Sequence, residues 1–169
     1  WHDWFAVHLP YHDGIIDAQE EWSWRWNGKL GFWLHEAAAL VLEPDKYSQQ
    51  QLEEIVDYCA YHGTLVIFDE VICGFRMAPG GAREFYGVQP DLSCYGKAMA
   101  NGMPVSAVAG RWEVMEPFTK GFWSTTHGGE CLSLAAAVAT LDILGDGTTL
   151  KKINQRGKHL ASYLTLHGA

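Results

Sequence analysis

The sequence predicts an α/β domain, a mostly parallel sheet flanked by helices, on three observations. Two short apolar runs in residues 38–68 enclose a segment with helical periodicity. Two more short apolar runs follow at 92–97 and 105–111, and an Ala-rich helical segment covers 130–144. Strands that alternate with helices are typical of parallel sheets. A chain of 169 residues is long enough for one such domain with a sizeable core.

The first strand and the helix after it have clear end signals. The apolar run "AAALVLEP" ends at Glu43-Pro44, and proline cannot continue a central strand. Ser48 and Gln51 have the spacing of a capping box, and Gly63 is placed to end the helix. Apolar residues recur between these signals at helical spacing, namely Leu52, Ile55, Val56 and Cys59. The segment is therefore predicted to be one amphipathic helix.

The second strand, predicted at 64–68, runs directly into two carboxylates in the segment "LVIFDEV". The β-α-β order predicts that this strand is parallel to the first, with a right-handed crossover. Glu43 and Asp69 then each follow the carboxyl end of a strand at one sheet edge. Open α/β sheets bind their ligands at that edge, so we expect the functional site there.

The C-terminal half supplies two more strands, in "LSCYGK" and "VSAVAGR", separated by the turn-rich "AMANGMP". Lys97 lies between Gly96 and this turn, so its amine is expected to face the same cleft as Asp69. The Ala-rich helix is entered through Gly128-Gly129 and ends at Gly145. Near the N-terminus, aromatic residues alternate with polar ones as in a half-buried strand, at Trp22, Trp24 and Trp26.

Composition excludes several classes of partner. Twelve Lys plus Arg against twenty Asp plus Glu leave a net charge of −8, which provides no general attraction to nucleic acid or anionic lipid. No apolar run reaches the length of a membrane span. The four cysteines have neither zinc-ribbon nor dense disulfide spacing, which favours a reducing, cytoplasmic compartment. We therefore expect no nucleic-acid or membrane partner.

Metal and nucleophile chemistries have weaker support in the sequence. An apolar run followed by Asp-Glu is also typical of the magnesium-binding strand of nucleotidases. The phosphate loop that such enzymes need is missing, since neither Gly28-Lys29 nor Gly96-Lys97 has the required flanking residues. His35-Glu36 lacks the second histidine of a zinc helix, and no G-x-S-x-G motif occurs. No metal site is predicted.

Lys97 and Asp69 together point to a different chemistry. A lone lysine is usually a solvated surface group, but a lysine and an aspartate at two strand ends are typical of imine chemistry on an aromatic aldehyde cofactor. The lysine amine forms the imine and later moves protons. The aspartate keeps the ring nitrogen of the cofactor protonated, so that the ring can accept electrons.

The stretch from "LVIFDEV" to "VSAVAGR" resembles the class III aminotransferases, which use pyridoxal phosphate. Within that family it is most similar to glutamate-1-semialdehyde aminomutase and its relatives. The elements D-E-V-x-x-G-F-R, P-D-L and G-K-x-x-x-x-G-x-P follow one another at the family's spacing, and Asp69 and Lys97 are 28 positions apart. "WHDWF", "AAALVLEP" and "STTHGGECLSLAAAVATLDIL" extend the resemblance over almost the whole chain. It implies the large domain of the fold-type I pyridoxal-phosphate enzymes.

The resemblance also implies roles for five residues. Lys97 would hold the cofactor as an imine, and Asp69 would pair with the pyridinium nitrogen. Val71 would pack against one face of the ring, and Thr126 would bond the phosphate of the cofactor in a partner subunit. Glu43 would line the pocket near the ring; as an alternative, it is a buried strand-end carboxylate satisfied by backbone donors. Catalysis is expected from Lys97 and Asp69.

Three departures from the family pattern qualify the resemblance. Ile72 replaces a glutamine that many transaminases of this class use near the ring hydroxyl, which favours the aminomutase-like branch. Glu130-Cys131 stands where Asn-Pro is usual, which places an acidic side chain near Thr126. Asp45-Lys46 leads almost directly into a helix, where the family has a longer Gly-rich loop. Glu70 is expected to be structural, bonding backbone or a basic side chain.

The expected function is amino-group transfer or 1,2-amino migration on a small amino donor or acceptor, in a homodimer. Residues 1–145 would form the second half of the cofactor-binding large domain, and 146–169 the start of a helix leading towards a small domain. The loop that holds the cofactor phosphate would lie before Trp1, so this chain by itself is expected to bind cofactor poorly. The alternatives are an inactive remnant with a packing or assembly role and, third, the magnesium nucleotidase.

Overall fold

The computed structural model describes residues 6–8, 37–121 and 128–166. The chain forms two compact units, between which it passes several times. The first unit comprises Trp1–Asp69, Val88–Cys94 and Val108–Phe122, and the second comprises Glu70–Gly87, Tyr95–Ala107 and Trp123–Ala169. The expected strand at Trp22 to Trp26 and the expected cofactor contact of Thr126 lie outside the described residues.

A sheet of five strands follows the order of the sequence. The strands are β1 (Ala6–His8), β2 (Ala39–Leu42), β3 (Leu65–Asp69), β4 (Leu92–Tyr95) and β5 (Ala107–Gly110). The pairs β1–β2, β2–β3 and β3–β4 are all parallel. The predicted α/β class with a mostly parallel sheet is therefore confirmed.

The β-α-β unit has the predicted helix between its strands, α1 (Gln49–His62). Ser48 forms a complete capping box with Gln51: its hydroxyl accepts from Gln51 N at 3.3 Å, and its own N–H donates to Gln51 Oε1 at 2.8 Å. Gly63 ends the helix with φ of 72°, in the left-handed region that favours glycine. The face that α1 buries consists of Leu52, Ile55 and Cys59.

Burial alternates along β2 and β3, which separates a core face from a more accessible face. The core face carries Leu40, Leu42, Val66 and Phe68, each almost completely buried. The predicted end of β3 at Phe68 is wrong by one residue. Asp69 is the last residue of the strand because it pairs in register with Cys94 of β4. It therefore lies on the accessible face, with Leu65 and Ile67.

The other helices in the described ranges are α2 (Gly81–Tyr86), α3 (Trp112–Lys120), α4 (Cys131–Leu144) and α5 (Thr148–Leu166). In the second unit, Ala137 of α4 packs with Met99 and Ala100 in a small apolar core. Helix α4 begins one residue later than expected, since Glu130 is its cap. Its carboxylate accepts from Leu132 N at 2.6 Å and from Ser133 N at 2.7 Å. The sequence did not indicate α2 or α3.

No single helix in the described ranges is long and apolar enough to cross a membrane. Helices α4 and α5 together have the length and apolar composition of a membrane span, but they are bent by 76° at their junction.

Candidate functional site

Two predicted site residues lie side by side at the carboxyl ends of β2 and β3. Leu42 pairs with Phe68 in the parallel ladder, so the next positions along the two strands are Glu43 and Asp69. Both side chains are half-buried. Glu43 precedes a short 3-10 turn at Pro44–Lys46, and its side chain does not cap that turn. The structure thus brings these two carboxylates to one edge of the sheet.

Cys94 is a third polar residue at this edge, and the sequence did not single it out. It pairs in register with Asp69. Burial, together with the negative charge of Asp69, raises the pKa of the Cys94 thiol above its ordinary value. The residue could be placed only once the register of β3 and β4 was known, because no sequence pattern relates Asp69 to Cys94.

Lys97 opens a 3-10 turn at Lys97–Met99, directly after the buried Gly96. Its side chain is exposed, and its backbone has φ of 35°. Residues other than glycine rarely adopt positive φ, and such residues are concentrated at functional sites. The turn is held by hydrogen bonds from Met99 N to Gly96 O at 2.9 Å and from Asn101 N to Lys97 O at 3.1 Å.

Val71 lies against the residue before Lys97. A Cβ atom added to Gly96 would stand 3.5 Å from Cγ1 of Val71 and 3.9 Å from its Cγ2. These are ordinary van der Waals distances, so the valine methyl groups cover Gly96. Within the second unit, the structure thus brings Val71 beside the turn that carries Lys97.

Glu70 differs from the other carboxylates because its exposed fraction is 0%. Its carboxylate accepts from Ala82 N at 2.6 Å and, at a longer 3.4 Å, from the hydroxyl of Tyr95. The expectation that Glu70 bonds backbone thus agrees with its geometry. In this structure the Glu70 side chain has no surface open to a ligand.

Glu130, the acidic residue near the predicted phosphate contact Thr126, caps its own helix. Hydrogen bonds from Ser133 and from Leu132 lower the pKa of the Glu130 carboxyl below its ordinary value. The Glu130 carboxylate therefore accepts hydrogen bonds from N–H groups in the first turn of α4, which have no acceptor within the helix.

The fold resembles solved pyridoxal-phosphate transaminases. The FumI protein of Sphingopyxis sp. MTA144, in its PLP internal aldimine form, has a TM-score of 0.73 and 26% identity, covering 88% of this chain and 37% of that one. Ornithine delta-aminotransferase of Plasmodium falciparum has a TM-score of 0.68 and 25% identity, covering 80% of this chain and 37% of that one. The domain is thus a part of the fold-type I large domain, as predicted.

Residues 32–168 match the aminotransferase class-III family, and the chain belongs to that family. Similar curated proteins are named glutamate-1-semialdehyde 2,1-aminomutase. The one from Syntrophobacter fumaroxidans is 40% identical over 137 residues, which are 75% of this chain and 32% of that protein. The one from Sulfurihydrogenibium azorense is 36% identical over 161 residues, which are 92% of this chain and 36% of that protein. The chain thus spans about a third of the length of these relatives.

Proposed function

We propose that this protein takes part in pyridoxal-phosphate-dependent amino-group transfer or 1,2-amino migration. The observation that carries the proposal is the Lys97 turn, with an exposed amine, a left-handed backbone and Val71 beside it, in a chain of this family. When bound, pyridoxal phosphate supplies an aromatic ring that accepts the electrons released at the substrate carbon.

The residues present fit such a cofactor. Lys97 has an accessible amine, and Asp69 and Val71 each keep part of their surface open. The neighbouring Glu70 is closed to solvent, so the acidic pair divides into one accessible and one structural carboxylate. This division supports Asp69 as the residue that serves the ring.

Lys97 and Asp69 would do the chemical work. The Lys97 Nζ would hold the cofactor and, once released, would move a proton at the reacting carbon. Asp69 would pair with the ring nitrogen and stabilise its proton.

Three further residues would position the cofactor. Val71 would pack against one face of the ring, and Glu43, beside Asp69 in the ladder, would line the pocket. Thr126 would bond the phosphate across a subunit interface, which requires a homodimer. Ile72, 48% exposed, stands at the position where a glutamine is expected in many transaminases, and it favours the aminomutase-like branch. The substrate is proposed to be a small amino compound in the cytoplasm.

Borohydride trapping tests the proposal, because it makes the lysine–cofactor linkage permanent. In the assembled enzyme, we expect peptide mapping after incubation with pyridoxal phosphate to place the label on Lys97, well ahead of the exposed Lys120. Lys97→Ala is expected to lose that label and keep the weak surface labelling. A preference for Lys120, Lys151 or another lysine over Lys97 would contradict the assignment and would favour the inactive remnant.

A further inference from the structure

The second unit contains one buried carboxylate for which the proposed chemistry has no use. Glu70 follows the strand that ends at Asp69, yet its side chain turns into the protein and is completely buried. Burying a carboxylate is costly unless hydrogen bonds satisfy it. Its two acceptor atoms have different donors: Ala82 N–H bonds Oε2 at 2.6 Å, and the Tyr95 hydroxyl approaches Oε1 at 3.4 Å.

The donors come from two separate segments. Ala82 is the second residue of α2, whose own cap, Gly80, makes no side-chain hydrogen bond to the helix. Glu70 therefore caps α2 from a distance of twelve residues in the sequence. The Glu70 carboxylate thus connects the start of α2 with Tyr95, the last residue of β4, which lies two positions before Lys97.

Two glycines leave the space that this arrangement needs. A Cβ atom added to Gly81 would collide with Oε2 of Glu70, and Gly81 has a positive φ of 72°. A Cβ atom added to Gly74 would stand 2.9 Å from Cδ1 of Tyr95, and Gly74 N donates to the Glu70 carbonyl at 2.8 Å. The loop is therefore closed tightly on both Glu70 and Tyr95.

A second contact lies next to this closure. Val71 follows Glu70 in the chain, and Gly96 follows Tyr95. A Cβ atom added to Gly96 would stand 3.5 Å from Cγ1 of Val71, so the Val71–Gly96 contact adjoins the Glu70–Tyr95 contact. All of these residues belong to the second unit.

We propose that Glu70 is a positioning residue: its bonds to Ala82 and Tyr95 hold Val71 against the turn that carries Lys97. The inference rests on the proposed function, in which Val71 packs against the cofactor ring and Lys97 attaches the cofactor. Glu70 itself touches no cofactor. Its contribution is geometric, so a neutral side chain of the same shape is expected to replace it.

Amide hydrogen exchange without cofactor is the first test. Glu70→Ala removes both acceptors, and we expect exchange in peptides covering 71–87 and 95–103 to become about tenfold faster. Peptides covering 49–62 serve as the internal reference and are expected to stay unchanged. Glu70→Gln keeps an oxygen for Ala82 N–H and a polar group for Tyr95, so its rates should stay within about threefold of the parent. Glu113→Gln, an exposed acid in the first unit, is the matched control.

Cofactor capture is the second test. At a fixed low concentration of pyridoxal phosphate, the fraction of Lys97 trapped by borohydride is expected to fall about tenfold in Glu70→Ala and to recover in Glu70→Gln. This capture is measured in the assembled enzyme. If Lys97 of the parent takes no label there, the proposed function fails, and the exchange pattern alone then decides the role of Glu70.

Three results would overturn the inference. Exchange in Glu70→Ala that rises equally in 49–62 would show a general loss of stability. Exchange that does not rise in 95–103 would show that Glu70 does not reach the Lys97 turn. A Glu70→Gln variant as impaired as Glu70→Ala would show that charge, not geometry, matters. Should Glu70→Ala fail to fold, Tyr95→Phe keeps the ring packing and is expected to accelerate exchange in 95–103 by about threefold.

Discussion

Asp69 and Glu70 are adjacent in the sequence, but the environments of their carboxylates differ. Asp69 ends β3 on the accessible face and influences the thiol of Cys94. Glu70 is buried and bonded to a helix N-terminus. Side chains alternate in direction along an extended chain, so consecutive acids at a strand end separate into one that faces the ligand edge and one that faces the interior. That separation agrees with the roles proposed for them, Asp69 in the chemistry at the ring and Glu70 in positioning.

Asp69→Asn tests the charge at this position by two independent measurements. The variant is expected to fold, because Asn has nearly the same shape, and to lose amine turnover in the assembled enzyme by about a hundredfold or more. Turnover near that of the parent would show that the carboxylate does not serve the ring. The substitution also removes a negative charge beside Cys94, so the pKa of the thiol should fall towards its ordinary value.

The rate of alkylation of Cys94 tests the predicted fall in the pKa of its thiol. A lower pKa means more thiolate at pH 8, and we expect Cys94 to react faster with iodoacetamide in Asp69→Asn than in the parent. Cys59 is the control, since burial, with a contribution from Asp91, raises its pKa to about 11. An unchanged rate at Cys94 would mean that the Asp69 charge does not reach the thiol.

At the scale of elements, the first turn of a helix and the register of two strands both depend on acidic side chains. Glu130 satisfies two N–H groups of α4. Asp91, just before β4, accepts from Val66 N at 2.8 Å and donates its own N–H to Val66 O at 2.9 Å. Asp91 thereby binds both backbone groups of Val66 and continues the ladder that aligns Asp69 with Cys94.

Asp91→Ala is expected to destabilise the fold by about 2–3 kcal/mol, because Val66 N–H loses its acceptor in a partly buried place. Arg111, which donates to the other Asp91 oxygen at 2.7 Å, is 54% exposed, so Arg111→Ala should cost only about 0.5–1 kcal/mol. Urea unfolding of both variants measures the difference. Equal losses would place the stabilisation in the surface ion pair and not in the register.

Glu130 gives the fold a pH dependence of known sign. Its pKa is lowered in the folded state, so its contribution to stability is present above the ordinary value of 4.5 and is lost as pH falls through the lowered, folded value. Glu130→Ala should therefore lower the melting temperature at pH 7, and the gap from the parent should close in acid. A gap that stays constant from pH 7 to the acid limit would rule out the carboxylate as the cap.

At the scale of the molecule, the second unit has a small apolar core. Helix α4 contributes Ala137 to this core, while other apolar residues of the helix are exposed. Ala137 of α4 is 7% exposed and packs with Met99 and Ala100, next to the Lys97 turn. The following residue, Val138, is 61% exposed. The core therefore needs a small side chain at position 137, whereas position 138 can hold a larger one.

Matched substitutions at these two neighbours test the core. Ala137→Leu is expected to overpack the contact with Met99 and Ala100 and to cost about 1–3 kcal/mol. Val138→Leu should change stability by no more than about 0.5 kcal/mol. The free energy of unfolding in urea decides the matter. Comparable losses at both positions would mean that Val138 is also part of a packed core.

The sequence by itself determined the α/β class, the family, helix α1 with its capping box, and the choice of Lys97, Asp69 and Val71 as candidates. These conclusions rest on local information: helical periodicity, a cap that spans three residues, and motifs of contiguous residues. The roles of the candidates remain proposals. Agreement between local patterns and the overall fold is what made the architecture predictable.

Only the tertiary structure decided the place of Cys94 beside Asp69, the burial of Glu70, the closure of its loop on Tyr95 and the true end of β3. The reason is that strand register and burial depend on residues far apart in the chain, such as Asp91 with Val66 and Glu70 with Ala82. A slip of one residue between β3 and β4 would send every side chain of the strand to the opposite face without changing any local pattern.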